Sequence, residues 1–166
     1  HPSMQFEVPP SLGSTGGIKA VLAGALDVAV TSRPLKLEER EAGASETPYG
    51  RTPLVFATSG PGGGNDINSA DIAAIFGLNM TAWPDGTPIR VILRPESEGD
   101  VKLLIGYFPE TEAALASIRA AGTIPVAVTD QDNMDLAERL PGSFTMASLT
   151  TIIGEGRALR AIQLDG

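Results

Sequence analysis

"GSTGGIKAVLAGALDVAVTSRP" runs from Gly13 to Pro34 and joins two periodicities in one stretch. From Ile18 the apolar residues fall at Ile18, Val21, Leu22, Ala25 and Leu26, the spacing of a helix with one buried face. Asp27–Thr31 then reads as a short, β-branched, buried strand. Arg33-Pro34 ends it, because proline restricts the residue before it and has no N–H to donate. A helix running into a strand this early predicts an α/β fold if the alternation persists along the chain.

It does persist. Leu37–Ala42 predicts a short helix and Thr52–Thr58 a second strand. Ser59–Asn65 (SGPGGGN) is a loop and the first candidate boundary. Its glycines read as a flexible connector, with no lysine near enough to make a phosphate loop. Ser69 predicts a cap for a helix through Phe76, with Ile72, Ile75 and Phe76 inward. Trp83–Gly86 is a turn and Ile89–Leu93 a buried strand. Helices are expected over Ser97–Phe108, Thr111–Ala121 and Met134–Leu140. Further strands are expected at Val126–Thr129, Phe144–Ser148 and Ala158–Leu164. Alternation of this kind predicts a largely parallel sheet. No repeat of fixed period occurs.

Composition narrows the function. The chain has 166 residues, 42% of them hydrophobic, enough for a core. Its 12 basic and 20 acidic residues give a net charge of −8, which argues against nucleic acid, where a basic face is expected. No run of about 18 apolar residues exists to span a membrane, and no secretory signal is visible. There is no cysteine, and the single histidine is His1. Thiolate metal sites, a Ser-His pair and a His-rich metal site are thereby disfavoured, and no cofactor is expected.

Three stretches carry chemistry. Gly13–Gly17 places Ser14, Thr15, Gly16 and Gly17 at a helix mouth, where free N–H groups and the helix dipole attract anions. The alternative is that Ser14 or Thr15 caps the helix. The spacing fits neither a Walker A loop nor a dinucleotide fingerprint. Thr31-Ser32-Arg33 leaves the carboxyl end of a predicted strand, the edge where ligands gather in open α/β sheets. There Ser32 can donate to an anion and Arg33 can offset it, unless Arg33 is simply a surface arginine. Arg94–Asp100 (RPESEGD) repeats the layout, with Arg94 leaving a strand and Ser97 opening a helix. Ser97-x-x-Asp100 also reads as a capping box. Asp130–Asp135 hints at calcium but fails the EF-hand pattern, and reads as a turn and helix start. No nucleophile elbow occurs, and nothing pairs two carboxylates as acid and base.

Taken in order, Ser11–Leu35, "YGRTPLVFAT" (Tyr49–Thr58), "DIAAIF" (Asp71–Phe76), "WPDGTPIRVILRPESEGD" (Trp83–Asp100), "TDQDN" (Thr129–Asn133) and "LPGSF" (Leu140–Phe144) resemble the phosphate-type substrate-binding proteins of ABC importers. The resemblance covers nearly the whole chain. It implies a two-lobed, periplasmic-binding-protein-like α/β fold with a hinge of crossing strands and an oxyanion in the cleft. It also implies that the first lobe is truncated at both ends, with lobes at 1–58 and 59–150 and a return segment at 151–166. Carried over position by position, one lobe would offer Ser14, Thr15, Gly16, Gly17, Ser32 and Arg33. The other would offer Arg94 and Gly99, with Ser97 as a substitute hydroxyl. The family's two hydroxyl positions hold Glu98 and Asp100 instead.

The resemblance therefore implies a non-enzymatic solute-binding protein for a small oxyanion, phosphate first, with the membrane permease of an ABC transporter as partner. A periplasmic or extracellular location is expected with it. Incomplete sheets expose edges, so a dimer is also expected. The alternative is a sensory or partner-binding module that keeps the fold and has lost the anion, with Glu98 and Asp100 as its signature.

Overall fold

The computed structural model describes residues 4–62 and 64–166. They form two compact units, one up to Thr47 and one from Pro48 to Gly166. The boundary precedes the one expected at Ser59–Asn65. The cause is pairing: β1 (Leu54–Ser59) joins the sheet of the second unit, and so does the return segment.

In the first unit, α1 (Gly13–Leu22) and α2 (Leu37–Glu41) are the helices. Helix α1 starts five residues earlier than the apolar spacing predicts, so Gly13–Gly17 is its first turn rather than its approach. It also stops before Ala25 and Leu26, because Gly24 adopts φ +69° and its N–H closes on the Val21 carbonyl. Ile18 is buried and Val21 half-buried, but Leu22 is 37% exposed, so the expected apolar face is only partly covered.

The strand expected at Asp27–Thr31 joins no ladder among the described residues. Val28 and Val30 are 77% and 72% exposed, while Ala29 between them is half-buried. A Cβ on Gly17 would lie 3.1 Å from Ala29 Cβ, so α1 covers that side of the segment and no second layer covers the other. The apolar run has a strand's alternation without strand partners, so it forms no sheet.

In the second unit the elements after β1 are β2 (Asp66–Ile67), α3 (Ser69–Phe76), β3 (Arg90–Val91), α4 (Gly99–Tyr107) and α5 (Thr111–Ala121). Then come α6 (Asp130–Arg139), β4 (Ser143–Ser148), α7 (Leu149–Gly154), β5 (Leu159–Ala161) and β6 (Gln163–Leu164). The main sheet has the order β3-β4-β1-β5, and β2 pairs with β6. The expectation of a largely parallel sheet fails here. β3 and β4 are parallel, but β1 runs antiparallel to both β4 and β5. β1 passes through the middle of the sheet, antiparallel to both neighbours.

Both faces of this sheet are covered, which explains why β4 is buried almost continuously. Phe56, Met146 and Phe144 join Trp83, Ile72, Ile75, Phe76, Leu104 and Leu115 on one side. The Phe56 and Phe144 rings stack at 5.1 Å, and Phe76 meets Phe144 edge-on at 5.5 Å. On the other side Ala57 and Ala147 pack with Met134 and Ile152. Two polar residues enter this core and are satisfied there: Thr145 Oγ1 donates to Asn133 Oδ1 at 2.7 Å, and Asn133 Nδ2 donates to the Met146 carbonyl at 2.8 Å.

Helices α3 and α5 occupy their predicted bounds, although Asn68 rather than Ser69 is the N-cap of α3. Helix α6 begins at Asp130, ahead of Met134, on a capping box formed by Thr129 and Asp132, so the acidic run is a helix start. The strand expected at Val126–Thr129 reduces to a single parallel bridge between Leu93 and Val126. Pro125 lacks an N–H, and Val126 and Val128 stand 48% and 62% exposed at the sheet's edge. Gly63 lies outside the described residues, but Gly62 and Gly64 on either side of it are held in place. Arg160 donates to the Gly64 carbonyl at 3.2 Å, and a side chain on Gly64 would meet the Trp83 ring at 2.8 Å.

Candidate anion-binding clusters

The site residues expected from the sequence fall into two clusters, one in each unit, built around Arg33 and Arg94. In the first, the end of the Asp27–Arg33 segment returns to the first turn of α1. Ser32 N–H donates to Ser14 Oγ at 3.1 Å, and the two hydroxyls lie 3.1 Å apart. Arg33 Nη2 reaches Thr15 Oγ1 at 3.4 Å. Ser14, Thr15, Ser32 and Arg33 are thus brought together. The alternative that Ser14 or Thr15 caps α1 does not hold. Both lie inside the helix, the N-cap is Leu12, and it has no side-chain cap bond. The first N–H groups of a helix have no carbonyl one turn earlier to bond, so those of Ser14, Thr15 and Gly16 face the mouth. Gly16 and Gly17 serve packing as well: a Cβ on Gly16 would press on Leu12 at 3.0 Å, as one on Gly17 would on Ala29.

Arg33 is not a loose surface arginine. Its guanidinium grips Glu39 in a fork, Nη1 to Oε2 at 2.8 Å and Nη2 to Oε1 at 2.6 Å. The two side chains are only 7% and 12% exposed. Glu39 also accepts the Lys36 N–H at 2.8 Å. The Arg33 bond, helped by that N–H, holds the Glu39 carboxyl down to about 2.

The second cluster surrounds Arg94, which is 4% exposed. Its Nε donates to Asp100 Oδ2 at 3.1 Å, its Nη1 to the Ala127 carbonyl at 2.9 Å and its Nη2 to Asp130 Oδ1 at 2.6 Å. The Arg94 carbonyl in turn accepts from Arg119 Nη2 at 2.6 Å. Asp100 lies in the first turn of α4, where the Val101 N–H donates to its Oδ1 at 2.8 Å. Burial pushes the Asp100 carboxyl up, and the Arg94 charge beside it only partly offsets that.

The capping box expected of Ser97 and Asp100 is not formed. Glu98 takes the N-cap position without a side-chain cap bond, Gly99 opens the helix, and Ser97 sits exposed in the turn before it. Asp100 turns to Arg94 instead. A cavity of about 320 Å³ between α4 and α5 has Glu96, Glu112 and Arg119 on its rim over Val101 and Leu115. Mixed charge on an apolar floor does not make it an oxyanion cradle.

Three members of these clusters escape motif reading. Glu39 looks like the wet side of a short helix, and Asp130 like a helix start. Ala127 contributes only its backbone carbonyl. The available signal is positional: Ala127 lies in the Val126–Thr129 run and Asp130 directly follows it, at the same sheet end that Arg94 leaves.

A family model described as a PBP superfamily domain matches residues 1–161. Among solved structures, the chain is similar to a Clostridium perfringens protein assigned as a phosphate ABC transporter substrate-binding protein and determined with bound phosphate. The TM-score is 0.71 at 20% identity, covering 93% of this chain and 62% of that one. PstS from Borrelia burgdorferi gives 0.57 at 21% identity, covering 93% and 64%. An ABC-type phosphate transport receptor from Vibrio cholerae gives 0.51 at 20% identity, covering 93% and 63%. At these identities the likeness is one of fold, and the chain spans less than two thirds of the length of each. No curated protein gives a significant match. Among the described residues no helix is long and apolar enough to cross a membrane.

Proposed function

The chain belongs to the PBP superfamily, and from that premise we propose that it is a solute-binding protein for a small oxyanion. Phosphate is the first choice of ligand, and the membrane permease of an ABC importer is the partner that receives it. The observation that carries this reading is the gathering of Ser14, Thr15, Ser32 and Arg33 at the first turn of α1. Outward-facing N–H groups, hydroxyls and a guanidinium at a helix N-terminus are the donors a tetrahedral oxyanion takes. In this reading Ser14, Thr15, Gly16, Gly17 and Ser32 orient the oxygens and Arg33 offsets their charge. In the second unit Arg94 and Gly99, with Ser97 nearby, stand at the corresponding positions, and there Asp100 already lies on Arg94. The net charge of −8 does not oppose this, because exposed charges beyond about 8–10 Å are screened while oriented amides act at contact. No chemical step belongs to it, and a location outside the cytoplasm goes with it.

Calorimetric titration of anion-stripped protein with phosphate tests it. The expected result is saturable binding, weakened at least about tenfold, or 1.4 kcal/mol, by Arg33→Ala. No heat and no thermal stabilisation by any oxyanion would overturn it.

A second reading, a sensory or partner-binding module without anion affinity, has one observation in its favour. Both arginines already hold carboxylates of their own, Arg33 with Glu39 and Arg94 with Asp100 and Asp130. The same titration decides between the two.

A further inference from the structure

Among the described residues Arg94 is the one charged residue buried as a whole, at 4% exposed. A buried cation must be paired and hydrogen-bonded, and every nitrogen of this guanidinium has an acceptor: Asp100, Ala127 and Asp130. The two carboxylates are not equivalent. Asp130 is 58% exposed, so water screens its pair, whereas Asp100 is 15% exposed and fixed. The Asp100 carboxylate collects two donors of different origin, the Arg94 Nε–H and the Val101 N–H in the first turn of α4. A guanidinium together with a first-turn N–H is the pair a free oxyanion would take at a helix N-terminus. The carboxylate has the same charge sign, the same lone-pair chemistry and the same place.

We propose that Asp100 is an internal anion seated on Arg94, and that it sets the affinity of the second unit for oxyanions. This rests on the oxyanion reading of the chain. With Asp100 and Asp130 both ionised, one guanidinium faces two carboxylates, so a dianion meets net negative charge at a group whose every nitrogen already donates to the protein. Neutralising Asp100 returns two donors and removes one repelling charge. The side chain at position 100 therefore decides whether Arg94 serves a ligand or the fold.

Sulfate is the probe, because it stays a dianion through the neutral range and its own protonation cannot imitate the effect. Wild type, Asp100→Thr and Asp100→Asn are titrated calorimetrically at pH 7.5, with the Arg94 Nε–H resonance followed by NMR. Asparagine keeps the shape of the site if threonine prevents folding, and Asp130→Asn serves as the screened control. The expected result is at least a tenfold gain in sulfate affinity for the Asp100 variants. It comes with a saturable shift of the Arg94 resonance and a thermal midpoint that falls without sulfate and recovers with it. A smaller gain is expected for Asp130→Asn. Equal sulfate affinity in wild type and both variants, with a silent Arg94 resonance, overturns the proposal and leaves the oxyanion reading standing. Binding in the variants through Arg94, with none in wild type for sulfate or phosphate, supports the proposal and overturns that reading. No binding in any of the proteins overturns both.

Discussion

Val91 and Phe144 in the second unit, and Val28 and Val30 in the first, belong to apolar runs of the same kind. The former pair is 4% and 0% exposed, the latter 77% and 72%. The difference is the company the runs keep. β3 and β4 lie in a sheet covered on both faces, whereas the Asp27–Thr31 run has α1 on one side and no ladder among the described residues. Sequence fixes the tendency to extend and to bury. A strand becomes one only when neighbours supply hydrogen bonds and a layer above. The first unit also leaves Phe6 and Val8 about as bare as its valines, at 79% and 87% exposed. Its fixed points are polar instead: the Arg33–Glu39 fork and the Ser14–Ser32 bonds.

The largest effect expected is in the second unit. Phe144→Ala removes the ring on which Phe56, Phe76 and Trp83 converge. It should cost about 3–5 kcal/mol, against about 2 kcal/mol for Ile18→Ala in the sparser first unit. Hydrogen exchange read separately in α3 and α1 checks this. Equal losses would overturn the expected difference in packing between the two cores.

A smaller effect, of opposite character, is expected in the first unit. Glu39 titrates at about 2 when folded, against an ordinary 4.5. A depressed carboxyl pKa contributes stability that is full above the unfolded value and is lost as pH falls through the folded one. Exchange protection of α2 should therefore decline between about pH 4.5 and pH 2, and Glu39→Gln should flatten that decline. A decline unchanged in the variant would mean that another carboxylate holds the segment.

The smallest effect on stability belongs to Val28→Thr with Val30→Thr. Exposed sites of this kind change folding free energy by less than about 0.5 kcal/mol. The change should instead lower light scattering at high concentration, because an uncovered apolar, strand-like segment invites association. A large loss of stability would show that these valines are covered in solution.

The helices of the second unit were the most legible part of the chain. Ile72, Ile75 and Phe76, and the bounds of α5, follow from local spacing, since a helix satisfies its hydrogen bonds within itself. Legibility dropped where bonds are made across the chain. Leu149–Gly154 is rich in β-branched residues yet is helical, because Ser148 starts a turn there. Asp66–Ile67 is a strand only because Gln163–Leu164 lies beside it. The sites divide in the same way. The motifs pointed to Ser14, Ser32, Arg33 and Arg94 through their positions at helix mouths and strand ends. Glu39, Asp100 and Asp130 as their partners could not be read, because a carboxylate's partner is chosen by the fold.

By itself, then, the sequence determined the α/β class, the positions of most helices, the absence of cysteine from these residues and the candidates proposed to hold an anion. These depend on local periodicity and residue type. Only the tertiary structure decided that β1 runs against its neighbours, that Val28 and Val30 stay bare, and that both arginines are already held by carboxylates. Each of those outcomes depends on which distant segments meet, and electrostatic and sheet partners are matters of distance in space rather than along the chain.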